Sequence, residues 1–298
     1  MAITLNEPYI QPLPESWYQP YVSSISILRL DVLHPVISGN KWYKLKYNVQ
    51  QAQQHGYDTI LTFGGGYSNH LVATAAAAYE ARLRSIGFVR GVYDVPTPTL
   101  QACEEYGMQL IPISQEEYKL KTDVAWLQEL QHKYPNALIV PEGGANEWGR
   151  AGAATIAEYI SDTYTHICTS VGTGTTFIGL RNTLPADAEV WGYVPMKGGI
   201  YLKDELQQYL NAEKNTNWQL FDDWHFGGFG KVSNELIAFM NAFYQATHIP
   251  LDMVYTGKML YGIQQQLRQG AFPRAANILC VHTGGLQGNA SVKDKLAY

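Results

Sequence analysis

The chain has 298 residues, 46% of them hydrophobic and 16% charged, with a formal net charge of -5. That composition excludes a disordered chain and supplies enough apolar residues for the core of one or two domains. The acidic balance offers no basic face for nucleic acid, and no run of about 18 uncharged apolar residues marks a membrane span, so neither partner is expected.

From the N-terminus, MAITLNEPYIQPLPESW lacks both the basic start and the apolar run of a signal peptide. Further along, short apolar runs recur, most of them stopping just before a glycine turn. They are 59–63 before GGG, 85–89 before RG, 137–140 before PEGG, 166–171 before GTG, 189–194, and 277–282 before TGG. Runs this short and rich in Ile, Val, Phe and Leu read as buried strands. Between several of them, 70–79, 99–106, 124–133, 152–161 and 233–245 carry helical patterns. Strand, glycine turn, helix is the grammar of an α/β protein with parallel sheets, where ligands bind at the carboxyl ends of strands. No repeat or linker separates domains. The three cysteines, Cys103, Cys168 and Cys280, form neither a disulfide framework nor a zinc pattern. Cys168 and Cys280 lie in apolar runs and read as buried and inert, which suits a reducing cytoplasm.

Four segments interrupt the apolar pattern. In SGNKWYKLK a glycine turn leads to Lys41, with a helical stretch soon after. Lys41 is either a solvated surface lysine or, if desolvated near a helix start, an amine with a lowered pKa and nucleophilic character. Lys44 and Lys46 read as surface or phosphate-side residues. In GGGYSNH, three glycines free the backbone for unusual dihedrals, and Ser68 and Asn69 can cap the Ala-rich helix that follows. The same helix start can instead receive an anion such as a substrate carboxylate.

The third segment, Gly172-Thr173-Gly174-Thr175-Thr176, combines backbone N–H groups, hydroxyls and a helix start into a phosphate cradle. No Gly-Lys-Ser/Thr follows and Phe177 replaces the last glycine of a dinucleotide fingerprint, so a monophosphate fits better than a nucleotide. A merely tight turn is the alternative. Last come MVYTGK and VHTGG, where Tyr255 and Thr283 read as residues at strand ends before glycine, or as ordinary core hydroxyls.

Together these segments resemble the family that joins D-cysteine desulfhydrases and 1-aminocyclopropane-1-carboxylate (ACC) deaminases. SGNKWYKLKYN, GGGYSNH, GFVRG, TPTLQ, PEGGANEWG, GTGTT, VYTGKMLYGI and VHTGG occur in that family's order. The resemblance implies a two-domain α/β fold of the tryptophan synthase β-subunit type, with open, mostly parallel twisted sheets covered by helices. It assigns 1–44 and 151–298 to a larger domain that binds pyridoxal 5′-phosphate (PLP), and 45–150 to a smaller closing domain. It implies a Schiff base between PLP and Lys41, with Asn69 on the phenolic oxygen and residues 172–176 on the phosphate. Ser68, Asn69, His70 and Tyr255 would meet the substrate, with Lys41, Ser68 and Tyr255 catalytic, and Thr283 beside the cofactor. A small amino acid is the implied substrate and a homodimer the implied assembly.

The family's ACC deaminases carry Glu after the tyrosine of the VY segment and Leu in the HxGG segment. This chain has Thr256 and Thr283, which resembles the desulfhydrases. A carboxylate near the pyridine nitrogen would keep it protonated, whereas a hydroxyl offers a neutral hydrogen bond. The expected reaction is therefore β-elimination of D-cysteine or a related D-amino acid to pyruvate, ammonia and sulfide. ACC deamination on the same scaffold is the nearest alternative, and a non-catalytic PLP- or nucleotide-binding protein an alternative of another class. The chain departs from the pattern at Tyr43, usually arginine, at Phe229, often tyrosine, and in the GGGY loop.

Overall fold

The computed structural model describes residues 3–298; Met1 and Ala2, which open the N-terminal stretch and the first expected domain span, lie outside the described residues. In chain order the helices are α1 (Glu15–Tyr18), α2 (Asn40–Gln54), α3 (Asn69–Glu80), α4 (Pro98–Glu105), α5 (Gln115–Lys119) and α6 (Val124–Lys133). They continue with α7 (Glu147–Ala154), α8 (Thr175–Thr183), α9 (Leu202–Gln207), α10 (Asn234–Thr247) and α11 (Thr256–Arg268). The strands are β1 (Tyr9–Pro12), β2 (Ser24–Arg29), β3 (Thr59–Gly65), β4 (Arg84–Arg90) and β5 (Gln109–Ile113). After them come β6 (Ala137–Ile139), β7 (His166–Ser170), β8 (Glu189–Tyr193), β9 (Trp218–Phe221) and β10 (Asn277–His282).

The strands form two sheets. One has four strands in the order β5-β4-β3-β6, all parallel. The other has six in the order β1-β2-β10-β7-β8-β9, parallel except for the edge pair β1–β2. Parallel strands need helical crossovers, and the helices that make them bury the sheet faces. The fold is thus the expected α/β architecture with mostly parallel sheets. No helix among the described residues is long and apolar enough to cross a membrane.

Helix α2 belongs to both halves of the structure. Its Leu45, Val49 and Ala52 pack into a core with Ile60 of β3 and Ala73, Ala76 and Ala77 of α3. Its Tyr43 joins the core beneath the six-stranded sheet, with Ile167 and Phe177.

Two local expectations are corrected. The helix read over 152–161 starts earlier, at Glu147, because Asn146 caps it by accepting from the Gly149 N–H at 2.8 Å, and it gives way to a 3-10 turn after Ala154. The three glycines of GGGY have no φ in the left-handed region. Two of them are needed for space: a Cβ on Gly64 would stand 2.7 Å from the Ser68 Oγ, and one on Gly66 would enter the Tyr93 ring, whereas one on Gly65 would meet only ordinary contact.

Candidate active site

The segments singled out in the sequence converge at the carboxyl ends of the parallel strands. Residues 172–176 follow β7, Ser68 and Asn69 follow β3, and Thr283 follows β10. Lys41 lies in the first turn of α2, whose N-cap is Gly39 at φ 63 and ψ −139. Glycine is required there twice over. The dihedral is foreign to L side chains, and a Cβ would fall on the Thr283 carbonyl, which accepts from the Asn40 N–H at 3.3 Å. This close approach ties the lysine to the end of β10.

Asn40 joins two parts of the site. Its Oδ1 accepts from Lys41 Nζ at 2.6 Å, while its Nδ2 donates to Thr176 Oγ1 at 2.8 Å. It was not singled out in the sequence, although it immediately precedes the lysine. Lys41 also lies 5.9 Å from the centre of the Tyr255 ring. Tyr255 in turn borders the glycine-rich loop, since a Cβ on Gly172 would come within 3.2 Å of its hydroxyl.

The local field is positive. Burial draws the Lys41 ammonium down to about 8, with the negative charge of Asp252 opposing. Lys44, read above as a surface or phosphate-side residue, is not on the surface: it is buried. Its ammonium is held well below the usual lysine value by burial and then by the Lys41 charge. His70 is buried as well, and burial, Lys44 and Lys41 together draw it to about 3, so it is neutral at physiological pH. Its Nε2 faces Thr62 Oγ1 at 2.9 Å, behind the loop that carries Ser68.

Tyr255 is not at a strand end; it is the N-cap of α11, because Asp252 organises the preceding turn. The Oδ1 of Asp252 accepts from Val254 N at 3.0 Å and Tyr255 N at 2.7 Å. Its Oδ2 accepts from Thr256 N at 2.8 Å and Thr256 Oγ1 at 2.6 Å. Both oxygens are thereby saturated, and the hydroxyl proton of Thr256 is spent. Among the described residues the Thr283 hydroxyl has no hydrogen-bond partner, so it is the threonine with a donor to offer. Burial, then Asp252 and Glu142, push the Tyr255 phenol up, which keeps it a neutral donor.

These residues fit the expected cofactor. Gly174, the N-cap of α8, is in the left-handed conformation at φ 76, with the hydroxyls of Thr173 and Thr175 2.9 Å apart beside it. Backbone N–H groups at a helix start together with hydroxyls suit a phosphate dianion. The Asn69 side chain has a buried Oδ1 without a partner among the described residues, and its Nδ2 makes only a 3.4 Å bond to the Gly285 carbonyl. Ser68 caps α3, its Oγ accepting from Leu71 N at 3.4 Å, a bond loose enough to exchange for a substrate group. Lys46, in contrast, donates to Thr155 and stacks over Tyr43 and Tyr47.

Lys41 is expected to be unusually reactive. In the cofactor-free protein, its modification by an amine-directed acylating reagent should reach half its plateau near pH 8, because only the neutral amine above its pKa attacks. A lysine in open water would need about pH 10.4. Peptide mass spectrometry across pH checks this, and a midpoint at the open-water value would refute the desolvated amine.

Comparison with known proteins adds four findings. A family model described as pyridoxal-phosphate dependent enzyme matches residues 23–284. A putative ACC deaminase of Pyrococcus horikoshii is 27% identical over 331 residues, covering 99% of this chain and 97% of that protein. A D-cysteine desulfhydrase of Klebsiella pneumoniae subsp. pneumoniae is 27% identical over 284 residues, covering 88% and 86%. The crystal structure of an ACC deaminase homologue superposes with a TM-score of 0.85 at 25% identity, over 99% of this chain and 94% of that one.

Proposed function

The chain belongs to the pyridoxal-phosphate-dependent enzymes, and from that premise we propose that it removes the β-substituent of D-cysteine, giving pyruvate, ammonia and sulfide. The observation that carries this reading is the saturated Asp252 beside Thr256. No oxygen of that carboxylate is left to accept from a protonated ring nitrogen, and the remaining threonine, Thr283, offers a neutral hydroxyl. A moderate electron sink suits loss of a Cα proton followed by departure of a good leaving group. Opening a cyclopropane ring asks more.

Pyridoxal phosphate, when bound, supplies the carbonyl that joins the substrate amine and the ring that withdraws charge from Cα. The chain's residues do the rest in this reading. Lys41 Nζ, drawn down to about 8 by burial and so carrying a substantial neutral fraction near that pH, takes the Cα proton. The Cβ–S bond breaks, its electron pair leaves with sulfur, and the three-carbon enamine that is released adds water to become pyruvate and ammonia. Ser68 and Asn69 at the start of α3 orient the substrate carboxylate, and Tyr255 covers the reacting face as a neutral donor. Residues 172–176 and Lys44 hold the phosphate, and His70 supports the loop of Ser68. The smaller unit, 45–150, closes over the substrate.

A panel of D-cysteine, L-cysteine, D-serine, β-chloro-D-alanine and ACC tests the reading. Pyruvate and sulfide from D-cysteine are expected; 2-oxobutyrate from ACC at an equal or higher rate would overturn it. The relative and the solved homologue that carry the ACC deaminase name favour that second reading. Thr283→Val, which keeps the shape and removes the hydroxyl, should lower kcat for D-cysteine about tenfold or more, with KM changing far less. An unchanged kcat would remove Thr283 from the site. In the same reading the enzyme is a cytoplasmic homodimer. Its three cysteines are free and buried, which suits a reducing compartment.

A further inference from the structure

Lys258, in the first turn of α11, is 2% exposed. Its ammonium donates to three main-chain carbonyls: His225 at 2.8 Å, Gly228 at 2.8 Å and Pro195 at 3.4 Å. Burying an ammonium is costly unless every donor is used, and here all three are.

The carbonyls come from an unusual loop. Phe226, Gly227, Gly228 and Gly230 all have positive φ, at 52, 92, 122 and 71. The loop is two consecutive tight turns, with Gly228 N on His225 O and Lys231 N on Gly228 O, each at 3.0 Å. The first carbonyl of each turn, His225 and Gly228, is also an acceptor of the Lys258 ammonium. One cation therefore pins both turns. The loop contributes no strand or helix bonds of its own; besides Lys258 it is held by the Gly227 N–H, which donates to His225 Nδ1 at 2.9 Å, and by Phe226 edge-on to Tyr261 at 4.8 Å.

The pinned loop reaches the site. Phe229 is 55% exposed and meets the Tyr255 ring edge-on at 5.8 Å, while Tyr255 faces Lys41 and Gly172. On the inner side a void of about 10 Å³ is lined by Tyr193, Val194, Phe221, Trp224 and Lys258 itself.

We propose that Lys258 is a positioning residue whose ammonium acts as a built-in cation, folding the 225–231 loop into a wall over Tyr255. What the loop needs is the charge and its three donors; the alkyl stem fills the space beside the void. A lysine truncated at this place leaves a hole open to a small external ammonium ion.

The test compares the wild-type holoenzyme with Lys258→Met, which keeps the volume, and Lys258→Ala, which opens the hole. Both should retain the cofactor absorbance of the wild type. Chymotryptic cleavage after Trp224, Phe226 or Phe229 should accelerate about tenfold or more in both. Methylammonium chloride should restore slow cleavage to the alanine variant and not to the methionine variant, whereas sodium chloride at equal ionic strength should do neither. In the methionine variant, KM for D-cysteine should rise while kcat changes less. Wild-type cleavage rates in the methionine variant overturn the proposal, as does an alanine variant indifferent to methylammonium. Should alanine prevent folding, the methionine comparison decides alone. The KM arm rests on the D-cysteine reading: a wild type that leaves D-cysteine unreacted ends that reading, and the cleavage arms still decide on Lys258.

Discussion

Lys41→Ala is expected to lower turnover by about a thousandfold or more, because it removes both the amine that anchors the cofactor and the base that takes the proton. The neighbouring groups do not replace it. Lys44, on the next turn of α2, is buried beside Gly144 of the PEGG turn, and burial and the Lys41 charge lower its affinity for a proton so far that it is the weaker base of the two. Tyr255 keeps its proton to high pH and is a poor base. Two measurements check the result. Sulfide and pyruvate release gives the turnover, and borohydride reduction followed by peptide mapping gives the anchoring residue. A variant that still yields a full complement of reduced cofactor adduct would show that the anchor lies elsewhere.

The second large effect is expected from a residue with no side chain. In Gly39→Ala the new methyl group would overlap the Thr283 carbonyl, and main chain cannot swing away as a side chain can. The φ of 63 with ψ −139 adds strain of about 1–3 kcal/mol. Relief requires moving the first turn of α2 off the end of β10, which displaces Lys41. Misplacement of about 1 Å is enough for a hundredfold loss of activity. Gly56→Ala is the control. Its φ of 74 is equally left-handed, yet nothing lies within 4 Å of an added Cβ. Thermal melts and kinetics of the two variants should separate: Gly56→Ala slightly less stable and fully active, Gly39→Ala clearly less stable and at least about a hundredfold slower. Equal behaviour of the two would mean that the contact with Thr283 does not matter.

The parts of the fold legible in the sequence are those with continuous apolar character, most of them with a glycine stop. β3, β4, β7, β8 and β10 were all predicted within two residues at each end, because buried parallel strands have no polar face to blur the pattern. The strands that were not predicted lack that signature. β1 and β9 are four-residue edges, and β5 is an edge strand broken by Pro112, so burial is partial and the run short. β2 is central and well buried, yet its SISILR sequence mixes serines with apolar residues and ends in a 3-10 turn without glycine.

Helix α11 was hidden by its own glycines. Gly257 packs against the Asp252 carbonyl and Met240, and Gly262 against Trp224, so both serve close packing where the sequence suggested a turn. The candidate site was legible where side chains carry its chemistry: Lys41, Ser68, Asn69, the 172–176 loop and Thr283. Asp252 left little trace, because three of its four hydrogen bonds are to main-chain N–H groups. An aspartate four residues before Thr256, at a helix start, was the one available hint. Lys258 was equally silent, since its acceptors are carbonyls brought together by folding alone.

The placement of α2 in two cores has a mechanical consequence. Its body is packed against β3 and α3, while its first turn abuts the end of β10 at Gly39. The one helix therefore ties the end of β10 to the four-stranded unit, so a strain placed at Gly39 is felt in both cores.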